Sequence, residues 1–101
     1  QKASTFIGTP YYLSPEIVQN QDYSFKSDIW SMGVLLYEMC TLKMPYDANS
    51  MAELIRKIIK GTFPPIPNCY SKEMKMLINS LLCIDQQKRP SVNEILSNFL
   101  F

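Results

Sequence analysis

The stretch GTPYYLSPE, residues 8–16, and the stretch KRPS, residues 88–91, are the most informative parts of this chain. The first ends in Ser14-Pro15-Glu16, an order typical of a helix start, with Ser14 as the N-cap and an acid near the positive end of the helix dipole. Glu16 and Arg89 carry opposite charges in these two remote stretches. A bidentate carboxylate–guanidinium pair between them would hold both segments in one geometry better than a lysine could.

Length and composition indicate one globular domain or part of one. The chain has 101 residues, of which 47% are hydrophobic and 19% charged, so it has enough apolar surface for a core. Ten basic residues against nine acidic ones leave a net charge of +1. This balance gives no electrostatic reason to expect a nucleic acid or an anionic membrane as a partner.

The cysteines and the apolar runs favour a reduced, cytoplasmic setting. Cys40, Cys69 and Cys83 are far apart, and the chain has no histidine, so neither a disulfide framework nor a zinc site is indicated. The apolar run over residues 29–42 is too short for a membrane span and is interrupted by polar residues. No leader pattern opens the chain. We therefore expect a cytoplasmic protein without a membrane span.

The pattern of caps and apolar spacings predicts a mainly α structure of about five helices with no sheet. We expect helices over residues 15–20 and 27–41, one from Met51 to a stop at Gly61, one after Ser71 and one after Ser91. The run FPPIP, residues 63–67, is predicted to be an extended connector. The residues expected to face inward on the last three helices are Met51, Leu54, Ile55, Ile58, Ile59, Met74, Leu77, Ile78, Leu81, Leu82, Ile95, Leu96 and Phe99.

The helix over residues 27–41 has apolar side chains on every side of the helical wheel. Such a helix should be buried nearly all round, which indicates that some of its covering partners are absent from this chain. We expect Trp30 to lie in the core and Gly33 to allow close packing of another helix.

Three blocks, in order, resemble the C-terminal lobe of the eukaryotic protein kinases. Ser14-Pro15-Glu16 resembles the end of the kinase activation segment, residues 28–33 the start of the central helix of the lobe, and residues 88–91 the arginine motif before its last helix. Residues 5–12, 40–43, 63–65 and 89–92 most resemble the NIMA-related (NEK) serine/threonine kinases. The resemblance implies a partial kinase domain of the α+β kinase fold over residues 1–101. Residues 1–13 would be the late activation segment and substrate loop, and residues 14–101 the helical lobe.

The resemblance also implies roles for individual residues. Gly8, Thr9, Pro10, Tyr11 and Tyr12 would bind substrate, and Thr9 would support a catalytic aspartate that this chain lacks, which points to serine or threonine as the acceptor. Thr5, or less favourably Ser4, would take an activating phosphate, with Lys2 and Lys26 as local cationic partners. Glu16, Arg89, Asp28 and Trp30 would be structural anchors. Solvated hydroxyls and unrelated surface charges are the plainer alternatives.

The chain lacks the motifs that handle the nucleotide in kinases. Its three glycines are scattered, no aspartate opens an Asp-Phe-Gly motif, and no His-Arg-Asp exists, although phosphoryl transfer needs these parts. ATP and Mg²⁺ would serve the parent kinase, and we expect no cofactor or metal to bind this chain alone.

We therefore interpret the chain as part of a serine/threonine kinase that transfers the γ-phosphate of ATP to proteins. Its partners would be protein substrates with serine or threonine acceptors, together with the missing N-terminal lobe and catalytic loop of the same kinase. The alternative is a catalytically dead truncated kinase or pseudokinase that acts in protein–protein interaction. An unrelated helical adaptor is a third, weaker interpretation. The family resemblance also leaves association with the cytoskeleton or cilium open.

Overall fold

The computed structural model describes residues 10–100, apart from the side chains of residues 99 and 100. Five α-helices follow one another: α1 (Pro15–Val18), α2 (Phe25–Thr41), α3 (Met51–Lys60), α4 (Lys72–Leu81) and α5 (Val92–Ile95). A π-helical turn, Leu96–Leu100, continues α5. Residues 10–100 contain no β-strand, so the predicted mainly α fold of about five helices is confirmed. In the same residues, no helix combines the length and the apolar character that a membrane crossing requires.

Serine side chains set the starts of four helices. Ser50, Ser71 and Ser91 each accept a hydrogen bond from the backbone N–H three residues later, as the sequence predicts. Helix α2 begins at Phe25, two residues before the predicted start, because Ser24 caps it and exchanges hydrogen bonds with Ser27 in a capping box. A serine oxygen in this position satisfies a backbone donor that has no partner inside the helix.

Helix α1 departs from its prediction in two ways. It ends at Val18 instead of residue 20, and Asn20 takes a left-handed conformation with φ of 64°. Ser14 occupies the N-cap position, but its side chain makes no capping hydrogen bond. The start of α1 therefore depends on Pro15, whose ring presets the helical φ angle.

The core lies where α2 packs against α4 and the connector. Trp30 is fully buried and stacks on Tyr46 with ring centroids 5.7 Å apart. A Cβ atom on Gly33 would lie 2.8 Å from Cβ of Leu81, so the two helices approach as closely as glycine permits. Residues 62–67 form neither helix nor strand, which agrees with the connector predicted for residues 63–67, and the Tyr37 hydroxyl holds this connector by donating to the Pro64 carbonyl at 2.8 Å. The expected places of Trp30 and Gly33 are confirmed.

The prediction that α2 is buried nearly all round is wrong within the described residues. Met32 and Leu35 are each 49% exposed, and Met39 is 62% exposed. The described helices cover only the opposite side of α2, which carries Ile29, Val34 and Tyr37.

The inward assignments on the other helices hold in part. Leu54, Ile58, Ile78, Leu81, Leu82 and Ile95 are buried, and Ile55, Met74 and Leu77 are partly buried. Met51, Ile59 and Leu96 are exposed, so those three assignments are wrong. They lie at the margins of the apolar faces of α3 and α5, where periodicity alone does not fix the depth of burial. The side chain of Phe99 lies outside the described residues.

Candidate functional site

The predicted pair between Glu16 and Arg89 is present and buried. Nη1 of Arg89 lies 2.8 Å from Oε2 of Glu16, and Nη2 lies 3.1 Å from Oε1. The side chain of Arg89 is inaccessible to solvent and that of Glu16 is 3% exposed. Helix α1 is thereby joined to the loop that precedes α5, in the bidentate geometry that favours arginine over lysine.

The remaining N–H groups of Arg89 are also used. Nε donates to the carbonyl of Cys83 at 2.8 Å, Nη1 to that of Lys26 at 2.7 Å and Nη2 to that of Ile84 at 3.2 Å. All five guanidinium donors therefore have acceptors. The guanidinium carbon also lies 5.2 Å from the centroid of the Trp30 ring, within the range of a cation–π contact. A buried charge tolerates loss of water when it is satisfied to this degree.

The carboxylate of Glu16 has a third donor in Ser27. The Ser27 hydroxyl donates to Oε2 at 2.8 Å from inside the first turn of α2. Burial raises the pKa of Glu16, but the hydrogen bonds from Arg89, the backbone and Ser27 together outweigh that effect, so the net pKa is lowered. Glu16 is therefore held as a carboxylate.

Lys26 lies beside this pair and is already engaged. Its ammonium donates to the carbonyl of Gln86 at 3.2 Å and to that of Arg89. These bonds hold the loop before α5 against the start of α2. A phosphate on Thr5, for which Lys26 was a predicted partner, would have to compete with both carbonyls.

The segment before α1 is attached by hydrogen bonds at its surface. The Tyr11 hydroxyl donates to Oδ1 of Asp47 at 2.9 Å, and the Tyr12 hydroxyl donates to Oε1 of Glu38 at 2.6 Å. These acceptor carboxylates raise the pKa of both phenols. The Ser31 hydroxyl donates to the Tyr12 carbonyl at 2.7 Å. The segment is thus fixed to α2 and to the loop that follows it.

A cavity of about 440 Å³ opens between this segment and the start of α2. Its lining is mostly apolar and comes from Leu13, Ser14, Ile17, Tyr23, Ser27 and Ser31. The Ser14 hydroxyl is buried at its margin and has no hydrogen-bond partner among residues 10–100. A mostly apolar cavity with a few polar groups is the usual form of a binding site.

The other predicted anchors differ in their surroundings. Trp30 is completely buried, whereas Asp28 is exposed in the first turn of α2 and accepts a hydrogen bond from the Tyr23 hydroxyl. Pro10 is buried beside Tyr11 and Tyr12. Gly8, Thr9, Thr5 and Ser4 lie outside the described residues, so their predicted roles, like the domain boundaries, stay predictions.

Sequence reasoning missed the groups that complete the site. Ser27, Ser31, Glu38 and Asp47 supply the hydrogen bonds that hold Glu16 and the two tyrosines. Ser27 and Ser31 are four residues apart and thus share one face of a helix, a signal that was available. No local pattern marked the tyrosine partners, because they lie in segments remote from the tyrosines in sequence.

Metal ions in proteins are held by groups of ligand side chains that lie close together. Within residues 10–100, no group of three or more histidine, cysteine, aspartate or glutamate side chains could hold a metal ion. We assign no step through Mg²⁺–ATP to these residues.

The complete chain, residues 1–101, matches the family model of the protein kinase domain. The chain therefore belongs to the protein kinase family, and its described helices are a portion of the helical lobe. Curated relatives include the probable serine/threonine-protein kinase nek3 of Dictyostelium discoideum, 57% identical over 95 residues, and the serine/threonine-protein kinase Nek1 of Mus musculus, 52% identical over 94 residues. A putative serine/threonine-protein kinase A of Trypanosoma brucei brucei is 47% identical over 93 residues.

These alignments cover nearly all of this chain but little of the relatives. They include 93%, 93% and 92% of the chain, and 8%, 8% and 22% of the three relatives, respectively. The resemblance to NIMA-related kinases is confirmed by these names and identities. The chain spans only a small part of the length of the curated relatives it matches.

Proposed function

We propose that this chain forms the substrate platform of a serine/threonine protein kinase of the NIMA-related type. The protein that contains it would transfer the γ-phosphate of ATP to a serine or threonine hydroxyl of a protein substrate. Residues 8–12 would lie along the substrate next to its acceptor, and the helical lobe would hold them in place.

The arrangement of residues 10–13 supports this role. Tyr11 and Tyr12 are fixed through their hydroxyls at 2.9 and 2.6 Å, and Leu13 lines the adjacent, mostly apolar cavity. Fixed backbone next to such a cavity suits recognition of one apolar side chain in an extended peptide. The names of the curated relatives support serine and threonine as acceptors.

ATP and Mg²⁺ belong to this proposal as requirements of the kinase family. The N-terminal lobe and the catalytic loop would supply the residues that bind them, and the present chain would contribute the platform alone. A phosphate on Thr5 or Ser4 would order the activation segment by pairing with cations. The proposal places the protein in the cytoplasm, and the family resemblance leaves association with the cytoskeleton or cilium open.

The test is a transfer assay with the full-length protein that contains this chain. Three peptides identical except for serine, threonine or tyrosine at one position would be offered with Mg²⁺ and γ-labelled ATP. We expect label on serine and threonine and none on tyrosine. Each peptide would carry an apolar residue beside the acceptor. Replacing that residue with aspartate should raise KM for the peptide more than it lowers kcat, because aspartate would not fill the mostly apolar cavity next to Leu13.

The 101-residue chain alone is the control and should transfer no phosphate. Label on tyrosine only would contradict the acceptor class. Failure of the full-length protein to label any peptide or protein substrate would instead favour the alternative, a non-catalytic module that acts through protein–protein contacts.

A further inference from the structure

A second cavity lies away from the substrate platform, between the extended connector and α4. Its volume is about 450 Å³, and we call it the connector groove. Phe63, Pro65 and Ile66 line it from the connector, and Lys75 and Asn79 line it from α4. None of these residues lines the cavity beside residues 10–13, so the groove is distinct from that cavity.

The connector presents main-chain groups that have no partner in the described structure. The N–H groups of Thr62, Phe63 and Ile66 make no hydrogen bond within residues 10–100, and neither do the carbonyls of Phe63 and Pro65. Two connector carbonyls do have partners, since that of Pro64 accepts from the Tyr37 hydroxyl and that of Pro67 from the Tyr70 N–H. An extended peptide can satisfy such groups by lying alongside them, which gives affinity without a sequence requirement.

The groove carries one charge, and it is positive. Among residues 10–100, Lys75 is the only ionisable side chain that lines it, and no aspartate or glutamate does so. Its ammonium donates to Oδ1 of Asn68 at 2.6 Å, which leaves two of its three N–H groups for an acceptor. The Asn79 amide donates to the Lys75 carbonyl, and its own carbonyl remains as an acceptor. An acidic side chain in the occupant would complete this arrangement.

The apolar part of the lining fits the rest of such a peptide. Ile66 is 6% exposed and belongs to the hydrophobic core. Phe63 is half-buried and packs edge-on against Tyr37, with 5.4 Å between ring centroids. Both residues pack into the core, which holds them in place beside the groove. The groove is therefore preformed, which reduces the entropy that binding would cost.

We propose that the connector groove binds an extended segment of a partner protein that places an aspartate or glutamate against Lys75 and an apolar residue against Phe63 and Ile66. This docking site is separate from the substrate platform and does not depend on catalysis.

The test is a selection of random dodecapeptides displayed on phage against three forms of the full-length protein that contains this chain: wild type, Lys75→Glu and Lys72→Glu. Lys72 lies on the same helix, is exposed and does not line the groove, so it matches the charge change of Lys75→Glu. We expect peptides with an acidic residue near an apolar one to be enriched on wild type and on Lys72→Glu. On Lys75→Glu, the acidic preference should disappear or change to a basic one.

One selected peptide, made synthetically with a fluorescent label, then gives the affinity. Lys75→Glu should weaken its binding by about tenfold or more, the scale of one charge-assisted contact, and Lys72→Glu by less than about twofold. Asn79→Trp, which fills the groove without changing its charge, should also weaken binding. Equal losses for both lysine variants, or no acidic enrichment on wild type, would overturn the proposal.

Discussion

The segment at residues 10–18 is attached to the lobe in two different ways. Its C-terminal part, α1, is held by the buried Glu16–Arg89 pair, in which every guanidinium donor has an acceptor. Its N-terminal part is held at the surface by the hydroxyls of Tyr11 and Tyr12. Two serines one turn apart on α2 each support one of these attachments. Ser27 donates to the buried carboxylate of Glu16, and Ser31 donates to the Tyr12 carbonyl at the surface.

The buried attachment and the surface attachment should have different effects, the first on stability and the second on the position of residues 10–13. A buried charge pair is costly to break, because the partner that remains is stranded without water. An exposed phenol that loses its carboxylate finds water instead. We therefore expect the Glu16 attachment to determine whether α1 stays folded onto the lobe. The tyrosine attachments should determine where residues 10–13 lie relative to a substrate.

The largest expected effect is that of Arg89→Ala. It leaves the Glu16 carboxylate buried and removes the donors to three carbonyls, so the free energy of unfolding should fall by about 3–5 kcal/mol. Urea denaturation followed by Trp30 fluorescence measures the change. Lys88→Ala is the matched control, because Lys88 is the exposed neighbour, and it should change stability by less than about 0.5 kcal/mol. Similar losses for the two variants would contradict the anchor role.

Acidification tests the same pair without removing Arg89. The pKa of Glu16 is lowered in the folded chain from its ordinary value of 4.5, so its stabilising contribution is fully present above pH 4.5. That contribution is lost as the pH falls through the lower, folded pKa, because the unfolded chain then binds the proton more readily. Urea midpoints measured between pH 7 and pH 2 should fall at the acid end.

The pKa of Glu94 is also lowered in the folded chain, because the backbone N–H of Ser91 donates to its carboxylate. A comparison with Glu16→Gln isolates the contribution of Glu16. The variant should be less stable at pH 7 and should lose less stability on acidification than the wild type. An identical pH dependence for both proteins would show that Glu16 is not the titrating group.

The two serines of α2 give the next test. Ser27→Ala removes a buried donor to a charged acceptor and should cost about 1.5–3 kcal/mol, whereas Ser31→Ala removes a bond to a neutral carbonyl and should cost about 0.5–1.5 kcal/mol. Both are serine-to-alanine changes within one helix, so differences in helix propensity largely cancel. Thermal or urea unfolding of the two variants compares them directly. A larger loss for Ser31→Ala would reverse the order of the two attachments.

The smallest effect on stability is expected for Tyr12→Phe. The hydroxyl is exposed and its acceptor, Glu38, lies at the surface of α2, so water can replace the lost contact and the free energy of unfolding should change little. In the full-length protein, the same change should raise KM for a peptide substrate, because residues 10–13 would be held less firmly, while stability changes little. Tyr70→Phe, a change of the same kind remote from the platform, should leave KM unaltered. A large loss of stability with unchanged KM would contradict the positioning role.

Much of the fold follows from local pattern. Ser50, Ser71, Ser91 and Gly61 begin or end helices where the sequence predicts them, because a cap is a contact between near neighbours. The pair of Glu16 and Arg89 was also predictable, but only through the resemblance of three ordered blocks to the kinases. Residue type alone left two unrelated surface charges as an alternative.

Other features could not be predicted from local pattern. The apolar wheel of α2 indicated burial on every side, yet Met32, Leu35 and Met39 are exposed, because burial depends on which elements are present to cover a face. The acceptors of Tyr11 and Tyr12 lie in distant segments, and no spacing rule connects them. The same applies to Lys26, whose ammonium holds the loop before α5.

The sequence by itself determined the order of the helices and the caps at Ser50, Ser71 and Ser91, because these depend on residue type and short-range spacing. It also indicated the family and the pair of Glu16 and Arg89, through the resemblance of three ordered blocks to the kinases. Only the tertiary structure decided which acceptors satisfy Arg89 and which hydroxyls fix residues 10–13. It also decided that a groove, with Lys75 in its lining, lies between the connector and α4. These features arise where segments far apart in sequence meet, and their geometry depends on packing that no single segment encodes.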